Sequence, residues 1–244
     1  MPIILFLATA IGGALNAVAG GGSFLTLPAL IVAGVSPVSA NATSTLALWP
    51  ASVSSTFAYR GDITTSRRWM TVLGATSLAG GLAGAILLVR TSDSSFLRLL
   101  PWLMLVAAVT FTFGQKLRDA TAHAGTPGLP VVAVAQFFIA IYGGYFGGGM
   151  GIMMLATMAL AGMTNIHEMN GLKSFLGVAI NAVALGTFIL SGAITWKYGL
   201  AMAVGATAGA YLTASFARRI DARYVRTVVI AVGWLMTAYF FVKR

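Results

Sequence analysis

The sequence predicts an all-α polytopic membrane protein built from two inverted repeats of five membrane segments each. Three observations predict it. The chain is 58% hydrophobic and 8% charged, with a mean hydropathy of +0.89, whereas a soluble domain carries roughly 25% charged residues. Charge is absent from long runs, Pro2–Tyr59 and Ala120–His167 above all, and from Trp69–Val89, Leu99–Gln115, Ser174–Trp196, Tyr198–Ala217 and Thr227–Val242. Landmarks of the first half also recur in the second half in the same order.

These values exclude a soluble globular domain and a disordered chain. They also argue against an outer-membrane barrel, whose alternating strands would not read this hydrophobic. The formal charge of +10 could suggest nucleic acid, but the basic residues cluster between apolar segments, where they act as orientation signals. Nucleic acid is therefore not an expected partner. The chain has no cysteine, which removes disulfides, thiolate metal sites and cysteine nucleophiles.

The elements follow in order. Pro2–Ala19 has no basic region ahead of it and is expected to be a membrane segment rather than a cleaved signal. Ser23–Val35 opens at the run Gly20-Gly21-Gly22 and closes around Gly34. Val38–Tyr59, Trp69–Val89 and Phe96–Gly114 complete repeat 1, residues 1–114. A polar linker is expected over 115–128, where Lys116, Arg118, Asp119, His123 and Pro127 interrupt the apolar pattern. Repeat 2, residues 129–244, then reads Leu129–Phe146, Met150–Gly162, Met169–Ser191, Thr195–Phe216 and Tyr224–Phe241. Its second segment also opens at a glycine run, Gly147-Gly148-Gly149. Further pairs support duplication: Asn41–Thr45 with Asn170–Ser174, and Gly61–Thr64 with Gly192–Thr195.

The second segment of each repeat is short. Thirteen residues rise about 20 Å, against about 30 Å of hydrocarbon. If both short segments turn back, eight basic residues lie inside and seven outside, which is no bias. If both cross, the count becomes ten inside and five outside, in keeping with the positive-inside rule. Ten segments with both termini outside, and the second repeat inverted, are therefore expected.

Candidate site residues lie at the glycine runs and at polar positions inside the segments. A helix that starts at a sunken glycine run presents unpaired N–H groups and partial positive charge, which suit an anion. Two such starts entering from opposite sides form a transporter arrangement. The candidates are Gly20, Gly21, Gly22 and Ser23 with Asn41, Thr43 and Ser44 in repeat 1, and Gly147, Gly148 and Gly149 with Asn170 and Lys173 in repeat 2. Lys173 is the one charged side chain well inside a segment; snorkelling or pairing with Glu168 is the alternative reading. Gly80/Gly84, Gly205/Gly209 and Gly143/Gly147 have the four-residue spacing of close helix packing. Asn16 and Asn181 are equally well explained as interhelical hydrogen-bond partners. The two histidines sit at segment ends and Ser23 has no evident base, so neither a metal site, a cofactor nor an enzyme is expected.

At these residues the sequence resembles the sulfite exporter TauE/SafE family of membrane transporters. The resemblance rests on Ala19–Leu30 (AGGGSFLTLPAL), Ala42-Thr43-Ser44, Gly143–Ile152 (GGYFGGGMGI), Asn170–Ser174 (NGLKS) and Ser191–Trp196 (SGAITW). It covers essentially the whole chain. It implies transport of small sulfur-containing anions such as sulfite, sulfoacetate or other organosulfonates across a bacterial inner membrane. It also implies Lys173 and the glycine-run amides as anion ligands. A passive anion channel built on the same groups is the alternative. The expected partners are a small anionic substrate and the lipid bilayer, and a homodimer through a glycine-faced helix is compatible with the sequence.

Overall fold

A computed structural model describes residues 2–19, 21–121, 127–216 and 222–243. Among them the chain forms ten helices and no strand: α1 (Pro2–Ala19), α2 (Ser23–Val32), α3 (Pro37–Tyr59), α4 (Arg67–Arg90), α5 (Asp93–Thr121), α6 (Leu129–Tyr145), α7 (Met150–Leu160), α8 (Ile166–Leu190), α9 (Trp196–Phe216) and α10 (Ala222–Val242). Three stretches, Arg67–Arg90, Asp93–Gly114 and Ile166–Leu190, are long and apolar enough to cross a membrane by themselves. Large apolar side chains also face outward, including Leu190 (90% exposed), Val32 (66%) and Phe138 (64%). An outward apolar surface of this extent needs lipid, not water, as its solvent. This is a polytopic helical membrane protein.

Local chemistry fixes the helix ends. Pro37 starts α3, and the Asp93 carboxylate accepts from the Val38 amide at 2.9 Å, satisfying one of that helix's unpaired first-turn donors. The Asn165 side chain caps α8 by accepting from His167 N and Glu168 N. Both short helices end the same way. Gly34 and Gly162 take φ +85° and +84°, and the next amides, Val35 and Met163, bond back to Leu30 and Met158 at 3.0 and 3.1 Å. That is a Schellman turn, for which glycine carries the least steric cost. The polar link begins later than expected. Gln115–Thr121 continues α5, because Gln, Lys, Leu, Arg and Ala are good helix formers that carry the helix past the apolar segment.

Helix directions define the bundle. Gly171, near the start of α8, lies against the Tyr59 carbonyl at the end of α3. Thr43, near the start of α3, accepts from the Thr195 amide just beyond α8 at 3.0 Å. α3 and α8 therefore run antiparallel. So do α5 and α10, where Trp102 meets Phe241 with ring centroids 5.1 Å apart and Trp234 Nε1 donates to Thr112 at 3.0 Å. In contrast α4 runs parallel to α6 (Ser77 with Gln136, Gly84 with Ile141 and Tyr145), and α1 runs parallel to α9 (Phe6 with Gly205, Ala10 with Gly209). With α4, α5 and α6 each reversing the chain, an antiparallel α3/α8 pair requires α7 to reverse it as well.

Small residues make these crossings close. A Cβ at Gly80 or Gly84 would collide with backbone carbonyls of α6, and one at Gly205 or Gly209 with carbonyls of α1. Gly80/Gly84 and Gly205/Gly209 are packing surfaces, as their spacing predicts; Gly143/Gly147 is not such a pair, because Gly147 lies past the end of α6 with φ +83°. The buried interior is mostly aliphatic, with the large rings of Phe24, Phe96, Phe111 and Phe188 in one cluster. A second cluster gathers Leu73, Leu172, Leu176 and Ile180.

Candidate functional site

The two short helices start inside the bundle, each beside the third helix of its own half. In the first half, Gly22 is pressed between the Gly12 carbonyl and Asn16 of α1 and Leu48 of α3. One turn later the buried Thr26 hydroxyl meets the buried Ser44 hydroxyl of α3 at 2.5 Å and also donates to Gly22 O at 3.2 Å. Gly21 packs on Val229 of α10, and Ser23 is the half-buried first residue of α2. Gly20 lies outside the described residues. Asn16 Nδ2 donates to Ser52 Oγ at 3.4 Å, a link between α1 and α3.

In the second half α7 likewise starts at buried glycines, Gly148 and Gly149. Gly147 and Gly149 both take φ +83°, a left-handed conformation in which any other residue is strained. The Tyr142 hydroxyl donates to Gly148 O at 2.8 Å and lies 3.1 Å from Leu103 O of α5. The N–H groups at the start of a helix have no carbonyl four residues back and carry partial positive charge. Beside this start runs Lys173 of α8. Its methylene stem passes so close to Gly151 that a Cβ there would lie 3.2 Å from Lys173 Cδ. Its ammonium donates to Asn170 Oδ1 at 3.0 Å. Glu168 instead accepts from Thr65 Oγ1 at 2.7 Å. The half-buried lysine is thus held by a neutral amide next to a helix start, where a carboxylate would have balanced its charge.

The structure gathers some candidates and separates others. Lys173, Asn170 and the α7 start form one group; Ser44, Gly22 and Thr26 form the corresponding group of the first half. Asn41 is buried with its Nδ2 on Tyr145 O at 3.0 Å, tying α3 to the end of α6 just before the second glycine run. Thr43 is buried and turned to the start of α9 instead. Three contributors were not in the sequence-based set: Thr26, Gly151 and Tyr142. Gly151 could have been found from its place in Gly147-Gly148-Gly149-Met150-Gly151, which continues the second glycine run.

A helical bundle with a lipid-facing exterior and two short helices starting at interior glycine runs defines a multi-pass membrane protein of the transporter class. The chain belongs to the sulfite exporter TauE/SafE family, whose signature matches residues 5–240. It is similar to "Probable membrane transporter protein ORF9" of Sinorhizobium sp, 29% identical over 232 residues, covering 94% of this chain and 88% of that one. It is similar also to "Probable membrane transporter protein YfcA" of Escherichia coli (strain K12), 29% identical over 238 residues, 96% of this chain and 87% of that one. A "Probable membrane transporter protein" of Haemophilus influenzae is 28% identical over 236 residues, 96% and 92% of the two chains. No solved structure matches.

Proposed function

We propose that this protein carries small sulfur-containing anions, such as sulfite, sulfoacetate or other organosulfonates, across a bacterial inner membrane by alternating access. The carrying observation is the Lys173 ammonium, paired with the neutral Asn170 amide and set beside the first turn of α7. An uncompensated charge within a membrane bundle marks a ligand path. A sulfite or sulfonate offers three acceptor oxygens to the ammonium, the α7 amides and the Asn170 side chain. The family name and the relatives' names support transport, and the family description supports sulfite as the type substrate.

The moving parts are the repeats 1–114 and 129–244, inverted with respect to each other. Antiparallel pairing of the equivalent helices α3/α8 and α5/α10 supports inversion. Rocking of one repeat against the other exposes a fixed site to each side in turn. Counterflow tests this reading: in proteoliposomes, internal unlabelled sulfite is expected to accelerate entry of labelled sulfite. Large single-channel anion currents without counterflow would replace the carrier with a channel.

Topology is testable because the chain has no cysteine. Single cysteines at Ser92 and Thr195 are expected to react with an impermeant reagent outside intact cells. One at Ala122, a position outside the described residues, is expected to be protected. Labelling of Thr195 and Ala122 from the same side would overturn the inverted arrangement.

A further inference from the structure

We infer that Tyr142 is a positioning residue for anion binding: its hydroxyl fixes the Gly148–Gly149 peptide so that the Gly149 N–H is turned away from Tyr142 and α5, at the start of the helix along which the Lys173 side chain runs. The inference rests on the anion site proposed above and adds to it a residue that makes no contact with the anion itself. A trans peptide is planar, with its C=O and N–H pointing in opposite directions. Tyr142 Oη donates to Gly148 O at 2.8 Å, and Leu103 O of α5 lies 3.1 Å from Tyr142 Oη. Holding that carbonyl toward Tyr142 and α5 turns the amide of the same peptide away from them.

The need for such a pin follows from the sequence around it. Gly147 and Gly149 both adopt φ +83°, and glycine occupies left- and right-handed regions about equally readily. Without an external tether, a run of three glycines samples many peptide orientations, and ordering it would weaken binding. The tether is itself well held. The Tyr142 ring packs edge-on against Phe146 with centroids 5.9 Å apart, and Gly149 is wedged against Ala107 of α5. The first half has no equivalent, since Gly13, Ala14 and Leu15 stand at the corresponding distance before Gly20–Gly22. The charge and the pinned peptide are thus found together in the second half, where Ser44 and a plain α1 stand opposite them in the first.

Tyr142→Phe removes the hydroxyl and keeps the ring. Sulfite binding to wild type, Tyr142→Phe and Lys173→Ala is measured by calorimetry in detergent, together with counterflow KM and maximal rate. Tyr142→Phe is expected to raise Kd about tenfold, the loss of roughly one hydrogen bond's worth of order. KM should rise in parallel while the maximal rate stays within about twofold, a split that general destabilisation would not give. If Tyr142→Phe binds as wild type while Lys173→Ala is weakened, the inference fails and the anion site stands. If wild type binds neither sulfite nor sulfoacetate, both fail. Should Tyr142→Phe not fold, hydrogen exchange on the wild type decides. A peptide spanning residues 147–151 is expected to exchange more slowly with sulfite present, and unchanged exchange overturns the inference.

Discussion

Gly84→Leu is expected to abolish the folded, monodisperse protein, and Gly209→Leu to do the same. At either position a Cβ would strike a backbone carbonyl of the facing helix, Ile141 O for Gly84 and Ala10 O for Gly209. A flexible side chain could rotate away; a backbone carbonyl within a helix cannot. The helices must separate, and the contacts along α4–α6 or α1–α9 are lost with them. Overpacking in a well-packed core costs about 1–3 kcal/mol even where side chains can shift, so a backbone collision costs more than that. Within a membrane no hydrophobic force restores the pairing, because lipid solvates the separated faces equally well. Gly186→Ala is the control. It stands in α8 with nothing within 4 Å of an added Cβ, and alanine is about 1 kcal/mol better than glycine in a helix. It is expected to leave the thermal midpoint unchanged or raise it. Size-exclusion profiles and thermal unfolding of the variants in detergent read both outcomes, and a monodisperse Gly84→Leu with an unchanged midpoint would overturn the argument.

Much of this fold was legible because charge is excluded from lipid. The uncharged run Pro2–Tyr59 placed the start of α1 and the end of α3, and the glycine run at Gly20–Gly22 placed the end of α1 at Ala19, where the structure has them. The glycine pairs at Gly80/Gly84 and Gly205/Gly209 were legible as packing surfaces because spacing alone puts both residues on one helix face. Where polarity gave the boundary, as at Gln115, helix propensity carried α5 further.

The surroundings of the candidate site residues were less legible than the fold. Asn41, Thr43 and Ser44 are neighbours in sequence, but successive residues of a helix point about 100° apart. They cannot all face one ligand. Asn41 reaches α6, Thr43 the start of α9 and Ser44 the start of α2. Partners 104 and 152 positions away are set by how α3 is rotated among its neighbours. Composition holds no record of that rotation. Tyr142 was hidden for a related reason: an aromatic residue in an apolar helix reads as packing until its hydroxyl is seen on the Gly148 carbonyl.

Lys173→Ala is expected to weaken sulfite and sulfonate binding by roughly ten- to a hundredfold while expression and folding are retained. A hydrogen bond to a charged group contributes about 1.5–3 kcal/mol, which converts to that range of affinity. Folding should survive because the ammonium's partner is the neutral Asn170 amide. Its removal leaves no buried carboxylate unpaired, the usual cause of severe loss when one member of an ion pair is deleted. Lys173→Arg should recover only part of the affinity, since a broad planar guanidinium must occupy the channel along Gly151 that now fits a methylene stem. Gly151→Val tests the same geometry from the other side. Its Cβ would stand 3.2 Å from Lys173 Cδ, so the branched side chain must push the lysine off its present path. Gly151→Val should therefore reproduce most of the Lys173→Ala defect with the lysine still present. Unchanged sulfite affinity in Lys173→Ala would leave the partial positive charge of the α7 amides to hold the anion, and the lysine would be an interfacial residue after all.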